Sequence, residues 1–455
     1  MKNMTLEMIA KACCGELHGN TVGEKEASCV VIDSRKMEKD GIFIATRGER
    51  VDGHDFIPRV AEEGALGVVC EKEPENCGIP YILVKDSFEA LQDIAEYYRK
   101  QLTIPVIGIT GSVGKTSTKE MIAAVLSQKF HILKTEGNFN NEIGLPLTVL
   151  RIRQEHEAAV LEMGISNFGE MHRLSRIAKP DICVMTNIGQ CHLENLGSRE
   201  GILKAKSEIF DYANPEGYTF VNGDDDMLCL VKGKGDHKPI HFGRNPSNEV
   251  FASDVMNRGL LGSHAVIHMG LSVFPVEIPL PGEHMVNNAL AAAAVGNCLG
   301  LTKEQIQTGI SGVQAVGGRS HVIALPSLTV IDDCYNANPV SMKAAIDLLM
   351  MAIGRKVAIL GDMFELGERE KELHGEVGAY AAEKGIDVLI CAGELSGCMY
   401  EKALSMGGKS EVYYFETRDV MLAELKDILK PGDSVLVKAS HGMQFEKVVE
   451  FLTTL

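Results

Sequence analysis

Three features are missing from this 455-residue sequence, and each absence excludes a class of protein. No apolar run reaches the ~20 residues that span a membrane, because the most apolar helical stretch, Ala289 to Val295, is short and built of small side chains. The first residues contain no apolar signal core. None of the twelve cysteines forms a C-x-x-C pair, so we expect reduced core thiols in a cytoplasmic protein, without disulfides or a zinc site.

Positive charge is also scarce. Lys and Arg number 45 against 62 Asp and Glu, which gives a formal net charge of −17. Nucleic acids and anionic membrane surfaces bind clustered basic residues, so we expect neither nucleic acid binding nor membrane insertion. An anionic small ligand in a local basic pocket is compatible with this balance. The length predicts about three domains of ~150 residues each.

The stretch 106 to 118, V-I-G-I-T-G-S-V-G-K-T-S-T, is typical of a phosphate-binding loop. Its apolar start predicts a buried parallel strand, and apolar residues at helical spacing from 121 to 126 predict the following helix. Between them, glycines let backbone N–H groups converge on an anion at the positive end of the helix. We expect Lys115 to reach the β- and γ-phosphates and Thr116 to bind a metal. The strict pattern requires glycine where Ile109 stands, so a turn that binds nothing is the alternative.

Alternating strand and helix patterns along the chain predict an α/β protein of three domains. The predicted N-terminal domain is 1–100, the central domain with a mostly parallel sheet is 101–315, and a Rossmann-like C-terminal domain is 316–455. The last domain has no phosphate loop of its own. We therefore expect it to close over the central domain and to bring a co-substrate to the strand ends, where ligands bind in such sheets.

Polar residues follow several predicted strands of the central domain. Glu162 ends one strand, where an acid can reach a phosphate-bound magnesium ion. His192 follows the next strand, and the helix predicted at 198–210 carries Lys206. Each of these residues, taken alone, is more often structural. Because they share one edge of the sheet with the phosphate loop, together they predict a nucleotide and metal site.

Two strand ends in the first domain carry hydroxyl and guanidinium groups. Ser34 and Arg35 follow the strand predicted at 29–33, and Arg47 follows the strand predicted at 41–45. Arginine binds phosphate oxygens in a bidentate manner, so this combination suits phosphate and sugar recognition. Solvated loop residues that bind no ligand are the alternative.

Six strings, in this order, resemble the Mur ligases of peptidoglycan synthesis and cover all three domains: G-S-V-G-K-T-S, N-F-N-N-E-I-G-L-P, L-E-M-G, A-K-S-E-I-F, N-N-A-L-A-A and D-D-C-Y-N-A-N-P-V-S-M. Within this family the chain looks most like the ligases that add D-alanyl-D-alanine to a UDP-N-acetylmuramoyl tripeptide. It has G-D-M-F-E-L-G with His374 downstream and lacks the D-N-P-R string of the diaminopimelate-adding relative. The resemblance implies that ATP phosphorylates the tripeptide carboxylate and that the dipeptide amine attacks the acyl phosphate.

The resemblance also implies the site residues. Catalysis would depend on Lys115, His192 and Lys206. Two Mg²⁺ ions would be bound by Thr116, Glu162, His192 and Lys206, and the UDP end would contact Ser34, Arg35 and Arg47. ATP would be bound by residues of the phosphate loop and of the two later domains: Gly111, Ser112, Val113, Gly114, Lys115, Thr116, Ser117, Asn288, Arg319, Asp333, Asn336 and Asn338.

The implied metal role of Lys206 conflicts with its charge. Mg²⁺ prefers oxygen ligands, and an ammonium group close to it would be repelled. Carbamylation by CO₂ removes the conflict, because it turns the cationic amine into an anionic group with two oxygens. Burial near cations would favour this reaction by lowering the pKa of the amine. An ordinary Lys206 that forms a salt bridge with Glu208 or another helix neighbour is the alternative.

Four residues of the sequence depart from the family pattern. Other residues are usual in the family at the positions of Met285, Cys334, Ala439 and His441.

A folylpolyglutamate-type ligase is the first of two rival functions. It has the same chemistry, but the strings at 34–55 argue against it. A nucleotide sensor that closes without ligation does not need a second metal site. We expect a monomer, and the sequence leaves the third peptide residue open between diaminopimelate and lysine.

Overall fold

The computed structural model describes residues 1–20, 25–48, 51–75, 77–233 and 238–455. They form three sheets of five, nine and six strands, which follow one another along the chain. We call the parts built on these sheets the N-terminal, central and C-terminal units. This arrangement confirms the predicted three-part α/β architecture.

The N-terminal unit has the strand order β1-β5-β4-β3-β2, with only β1 antiparallel to its neighbour. Its strands and helices are α1 (Leu6–Ala12), β1 (Glu16–His18), β2 (Val30–Val31), β3 (Ile42–Ile44), α2 (Ile57–Glu62), β4 (Gly67–Cys70), β5 (Tyr81–Leu83) and α3 (Ser87–Arg99). The Asp86 side chain caps α3 by accepting from two of its first N–H groups. The strands β2 and β3 are shorter than the predicted ones.

The central unit has the strand order β14-β13-β12-β11-β10-β9-β6-β8-β7. Its strands and helices are β6 (Val106–Thr110), α4 (Lys115–Leu126), β7 (Ile132–Lys134), α5 (Gly144–Val149), β8 (Ala158–Glu162), α6 (Glu170–Ala178), β9 (Ile182–Met185), α7 (Leu193–Leu196), α8 (Arg199–Ser207), β10 (Tyr218–Asn222), β11 (Ile240–Gly243), β12 (Val250–Asn257), β13 (Ser263–Met269), β14 (Ser272–Ile278), α9 (His284–Cys298) and α10 (Lys303–Ser311). The seven neighbouring strands β7, β8, β6, β9, β10, β11 and β12 pair in parallel. The strands β13 and β14 then extend the sheet in antiparallel pairing beyond β12. The strand β6 is fully buried between β8 and β9, as its apolar sequence predicts.

The C-terminal unit has the strand order β15-β16-β20-β17-β18-β19. Its strands and helices are β15 (His321–Ala324), β16 (Leu328–Asp332), α11 (Pro339–Met350), β17 (Lys356–Gly361), α12 (Glu370–Lys384), β18 (Val388–Ala392), α13 (Ser396–Ser405), β19 (Glu411–Phe415), α14 (Arg418–Ile428), β20 (Asp433–Lys438) and α15 (Glu446–Leu452). The alternating sequence pattern predicts five strands in this part, at 329–333, 356–361, 387–391, 411–415 and 434–438, and all five are present, each within one residue at either end. The antiparallel edge strand β15 was not predicted.

The N-terminal and central units share one continuous apolar core. Leu91 and Ile94 of α3 belong to the same buried cluster as residues of α5, α6 and α8. At the end of α3, the Tyr98 hydroxyl donates to the Ile152 carbonyl at 2.6 Å, and Arg99 Nε donates to the Ala178 carbonyl at 2.8 Å. The C-terminal unit has separate buried clusters on the two faces of its sheet. The first two units are therefore packed as one body.

Two predictions from composition concern membrane spans and cysteines. Within the described ranges, every helix is too short or too polar to cross a lipid bilayer. No disulfide joins any of the twelve cysteines, all of which lie in the described ranges, and eight of them are buried. Cys14 and Cys229 are exposed, so the expectation of core thiols is wrong at these two positions.

Candidate active site

A cavity of about 1280 Å³ lies between the central and C-terminal units. It is lined by residues that follow β6, β8 and β9 of the central sheet and β16 of the C-terminal sheet, together with Phe88 and Gln92 of α3. This is the carboxyl edge of the parallel strands, where α/β proteins bind ligands. Thirteen of the predicted site residues line it: Ser112, Val113, Gly114, Lys115, Thr116, Ser117, Glu162, His192, Asn288, Arg319, Asp333, Asn336 and Asn338.

The phosphate loop joins β6 to α4 at this edge. Gly111 approaches the neighbouring strand so closely that a Cβ there would lie 1.9 Å from Thr186 Oγ1, and its φ is 152°. Gly114, at φ 82°, precedes the first residue of α4. The first N–H groups of a helix have no acceptor within the helix, and they carry its positive dipole end. The loop therefore presents backbone donors and Lys115 to the cavity.

The residues after β9 hold this loop in place. Asn187 accepts from Val113 N at 2.9 Å through its side chain, and from Ser112 N at 3.0 Å through its carbonyl. Thr186 Oγ1 donates to the Val113 carbonyl at 2.7 Å. Lys115 Nζ donates to the Gly111 carbonyl at 2.9 Å. The loop is thus ordered by bonds within the protein, and Asn187 has a supporting role that the sequence did not reveal.

Thr116 and Glu162 form the better defined of the two predicted metal sites. Thr116 Oγ1 donates to Glu162 Oε2 at 2.9 Å, and both side chains are buried beside the phosphate loop. The other carboxylate oxygen accepts from Asn140 Nδ2 at 2.8 Å. Two hard oxygen donors next to a phosphate site fit a magnesium ion. Asn140 lies in the string N-F-N-N-E-I-G-L-P, one of the six that resemble the family.

Lys119 lies behind this carboxylate and was missed at the sequence level. Its side chain is 2% exposed, and Nζ donates to the Thr135 carbonyl at 2.7 Å. Nζ also lies 3.1 Å from Glu120 Oε1 and 3.9 Å from Glu162 Oε2. A signal exists in the sequence, since the i, i+3 spacing puts Lys119 on the same helix face as Thr116. Burial of that face cannot be read from the spacing.

Lys206 is completely buried in α8. Its Nζ has no hydrogen-bond partner among the described residues. Burial, reinforced by the nearby charge of Lys115, lowers the pKa of Lys206 from 10.5 to about 8. Glu208 accepts instead from the N–H groups of Gly169 and His172, so the alternative Lys206–Glu208 pair is not formed. An unmodified amine offers no oxygen to a metal ion, whereas a carbamate does.

His192 sits at the junction of the two units. It precedes α7 with a φ of 51°, and its side chain lines the cavity. Its Nδ1 lies 2.5 Å from Glu365 Oε2, which belongs to the loop after β17 of the C-terminal unit. The contact with His192 lowers the pKa of Glu365. The sequence had marked this loop as family-specific without giving Glu365 a role.

The C-terminal wall of the cavity combines a cation, an aromatic ring and a buried ion pair. The Arg319 guanidinium lies 4.0 Å from the centre of the Tyr335 ring. Asp333 Oδ2 lies 2.5 Å from Lys438 Nζ, whose side chain is 3% exposed. Asn338 caps α11 by accepting from Ser341 N at 2.9 Å. Asn338 therefore stabilises the fold as well as lining the cavity.

The three residues predicted to bind the UDP end lie elsewhere, in the N-terminal unit. Ser34 is buried, Arg35 forms a bidentate pair with Asp33, and Arg47 Nε lies 3.4 Å from Asp52 Oδ2. None of the three lines the cavity. The segment that carries them adjoins the central unit, because Lys36 Nζ lies 5.9 Å from the ring centre of Phe139.

At the unusual positions, Met285 and Ala439 are buried, and burial raises the pKa of the Cys334 thiol, which donates to Asp332 Oδ1. The His441 ring lies 5.5 Å from the Tyr335 ring, centre to centre. The fold therefore takes Met285 and Ala439 into its interior, and it pairs Cys334 with the end of β16. His441 is placed beside the cavity wall.

Comparison with known proteins gives matches over the whole chain. Three domain families match in succession: "Mur ligase family, catalytic domain" over residues 26–99, "Mur ligase middle domain" over 109–296 and "Mur ligase, glutamate ligase domain" over 318–441. The UDP-N-acetylmuramoyl-tripeptide--D-alanyl-D-alanine ligase of Bacillus subtilis is 40% identical, and the match covers 99% of both chains.

Solved structures agree with this assignment. A crystal structure of MurF from Acinetobacter baumannii has a TM-score of 0.91 and 32% identity, and the match covers 99% of each chain. MurF ligase from Thermotoga maritima, solved in complex with ADP, has a TM-score of 0.82 and 30% identity over 94% of this chain and 97% of that one. This chain therefore belongs to the Mur ligase family, and its full-length likeness is to the MurF type.

Proposed function

We propose that this protein uses ATP to join D-alanyl-D-alanine to the terminal carboxylate of a UDP-N-acetylmuramoyl tripeptide, in cytoplasmic peptidoglycan precursor synthesis. The observation that carries this proposal is the cavity, where the glycine-rich loop, the paired Thr116 and Glu162 side chains and the strand ends of the C-terminal unit meet. The full-length likeness to the Bacillus subtilis ligase supports the choice of substrates.

The residues suit an activated-acyl mechanism. A carboxylate does not react with an amine in water until it gains a leaving group. A tripeptide carboxylate oxygen attacks the γ-phosphorus of ATP, the bond to ADP breaks, and an acyl phosphate forms. The dipeptide amine nitrogen then attacks the acyl carbon, and inorganic phosphate leaves. Lys115 and the N–H groups at the start of α4 neutralise the phosphates, so the two anions can meet.

Magnesium would be held first by Thr116 and Glu162, whose oxygens lie together beside the loop. When bound, the metal neutralises phosphate charge and orients the γ-phosphoryl group. His192 and Lys206 would serve a second ion. For that role we propose that the neutral Lys206 amine adds to CO₂, with formation of an N–C bond and loss of one proton. The buried, unpartnered Nζ and its lowered pKa support this modification.

The three units would divide the substrates among them. Ser34, Arg35 and Arg47 would bind the UDP end at the N-terminal unit. Gly111, together with the predicted ATP residues that line the cavity, would bind the nucleotide. The C-terminal unit would bring the dipeptide and close on ATP, with Arg319 and Asp333 on the nucleotide side.

Release of ADP tests the proposal directly. Purified protein with ATP, Mg²⁺ and UDP-N-acetylmuramoyl tripeptide should release ADP rapidly with D-alanyl-D-alanine, and much more slowly with L-amino acids or with glutamate and a folate. Hydroxylamine in place of the dipeptide should trap a hydroxamate of the tripeptide. Turnover only with folate and glutamate would identify the rival ligase, and ATP binding without turnover on any acceptor would identify a sensor.

The carbamate is tested separately by carbon-13 NMR. Protein equilibrated with carbon-13-labelled bicarbonate should show one carbamate signal, which Lys206→Ala removes together with ligation. Lys204→Ala is the matched control, because Lys204 lies exposed on the same helix. A wild-type spectrum without that signal, or a fully active Lys206→Ala protein in bicarbonate-free buffer, would exclude the modification.

A further inference from the structure

We propose that Lys438 is a positioning residue for the nucleotide: its buried ammonium orders residues 333–336, the part of the cavity wall that carries Asp333 and Asn336. The inference rests on the proposed function, in which these two residues bind ATP. It adds the group that keeps them in place and the part of the reaction that this group serves.

Lys438 is placed beside this segment by the order of the strands. It is the last residue of β20, which pairs in parallel with β16. Asp332 of β16 lies opposite Val437, and Asp333 N donates to the Val437 carbonyl at 3.0 Å. The Lys438 side chain therefore leaves β20 at the point where β16 ends. It lines the cavity and is only 3% exposed.

The ammonium group of Lys438 binds both ends of the segment. An ammonium group has three N–H donors. Nζ lies 2.5 Å from Asp333 Oδ2, 3.2 Å from the Asp333 carbonyl oxygen and 2.9 Å from the Asn336 carbonyl oxygen. All three acceptors belong to residues 333–336, which lie outside helices and strands. One side chain thus bridges four residues of irregular backbone.

The segment in turn holds the residues on either side of Arg319. Tyr335 N donates to the Gly318 carbonyl at 3.0 Å, and Ser320 N donates to Asp333 Oδ1 at 2.8 Å. The Asp333 carboxylate is therefore bound through one oxygen by the ammonium and through the other by Ser320. Loss of the ammonium should disturb Asp333 and Arg319 together.

Burial makes the loss of this ammonium costly. Removal of one partner of a buried ion pair leaves the other charge uncompensated. The Asp333 carboxylate and two carbonyl groups would have to find other donors, so the segment would no longer keep one conformation. A binding surface that must be ordered by its ligand binds that ligand more weakly. We therefore expect nucleotide affinity to depend on Lys438, whereas the UDP end of the acceptor, on the N-terminal unit, should be little affected.

The test measures ADP binding by isothermal titration calorimetry, with Mg²⁺ and without acceptor or dipeptide. Lys447→Met is the matched control for Lys438→Met, because Lys447 is an exposed lysine of the same unit. The dissociation constant should rise about 10-fold or more in Lys438→Met, as for loss of a hydrogen bond to a charged group, and stay within about 2-fold in the control. With Asp333→Asn already present, Lys438→Met should add much less.

Steady-state kinetics separate positioning from a general loss of structure. In Lys438→Met, the KM for ATP should rise by a similar factor, while the KM for the UDP-N-acetylmuramoyl tripeptide stays within about 2-fold. Lys438→Gln, whose amide still donates, should give an intermediate ADP dissociation constant, so the test does not depend on one variant that folds poorly.

Three results would overturn the inference. They are wild-type ADP affinity in Lys438→Met or Lys438→Gln, an equal effect of Lys438→Met with and without Asp333→Asn, and an equal rise in both KM values. ADP binding needs no acceptor. Failure of ligation with every acceptor, in a protein whose ADP affinity depends on Lys438, would therefore overturn the proposed function alone.

Discussion

Lys119 is a buried cation placed between two acidic groups. Its ammonium lies 3.1 Å from Glu120 and 3.9 Å from Glu162, and its side chain is 2% exposed. We predict that Lys119→Met lowers the free energy of unfolding by about 3 kcal/mol, because it leaves buried carboxylate charge without its partner. Urea unfolding measures the change.

A double-mutant cycle separates this effect from simple loss of packing. Glu162→Gln in the Lys119→Met background should restore part of the lost stability, since it removes the buried charge that has lost its cation, whereas Glu120 keeps Lys134 as a partner. If Lys119→Met is as stable as wild type, or if the second substitution only adds to the loss, Lys119 does not act through these carboxylates.

Residues of the phosphate loop could be predicted because their signal is local. Glycine spacing, Lys115 and Thr116 stand within one short stretch, and the structure brings them to one cavity. The contacts of two other residues could not be predicted in this way. Asn187 contacts Val113, which is 74 positions away along the chain, and Glu365 contacts His192, which is 173 positions away. Such pairings follow from sheet order and from the contact between units, which one sequence does not encode locally.

At the scale of elements, His374 on α12 fixes the end of β17. Its ring is fully buried, its Nε2 accepts from Met363 N at 2.8 Å, and its Nδ1 lies 2.6 Å from the Glu370 carbonyl. Burial lowers the pKa of His374 below its usual 6.5. The unfolded chain therefore binds a proton at this residue more readily than the folded protein does.

The sign of the pH effect follows from this lowered pKa. The stabilising contribution of neutral His374 is complete above about pH 6.5 and is lost as the pH falls through the folded-state pKa. Between about pH 7 and pH 5, the free energy of unfolding should decrease more steeply for wild type than for His374→Gln, which does not titrate. Urea unfolding across this range measures both slopes. Parallel slopes would mean that His374 is not buried in its neutral form.

The elements themselves were largely predictable, for identifiable reasons. Buried parallel strands such as β6 and β17 are continuous apolar runs, so they stand out from the helices between them. The strand β15 has only four residues, three of them half-buried and one exposed, and it lies at a sheet edge. Its pairing with β16 depends on a turn, and not on a distinct apolar pattern.

At the scale of the whole molecule, the distribution of core residues predicts how the protein unfolds. One apolar cluster continues from the N-terminal unit into the central unit, whereas the C-terminal unit has clusters of its own. We predict two thermal transitions in calorimetry, one for the first two units together and one for the C-terminal unit. Ile94→Ala, in the shared cluster, should lower the midpoint temperature of the transition of the N-terminal and central units. It should leave the midpoint of the C-terminal unit nearly unchanged.

Hydrogen exchange identifies the units that open in each transition. Amides of β4 and β6 should lose protection together in Ile94→Ala, because α3 joins their cores. Three separate transitions, or loss of protection in the N-terminal unit alone, would show that α3 does not couple the two units.

The shared core also fixes the distance between two proposed binding sites, one on the N-terminal unit and one on the central unit. With the UDP end on the N-terminal unit, as proposed, and the phosphate loop on the central unit, the two ends of the acceptor substrate are bound by one packed body. The gap between them does not change when the C-terminal unit closes. Each residue of an extended peptide spans at most about 3.6 Å, so a stem one residue shorter leaves its carboxylate that far from the γ-phosphate. On this proposal, α3 would hold the two binding sites at a constant distance, and the protein would select its acceptor by the number of residues in the peptide.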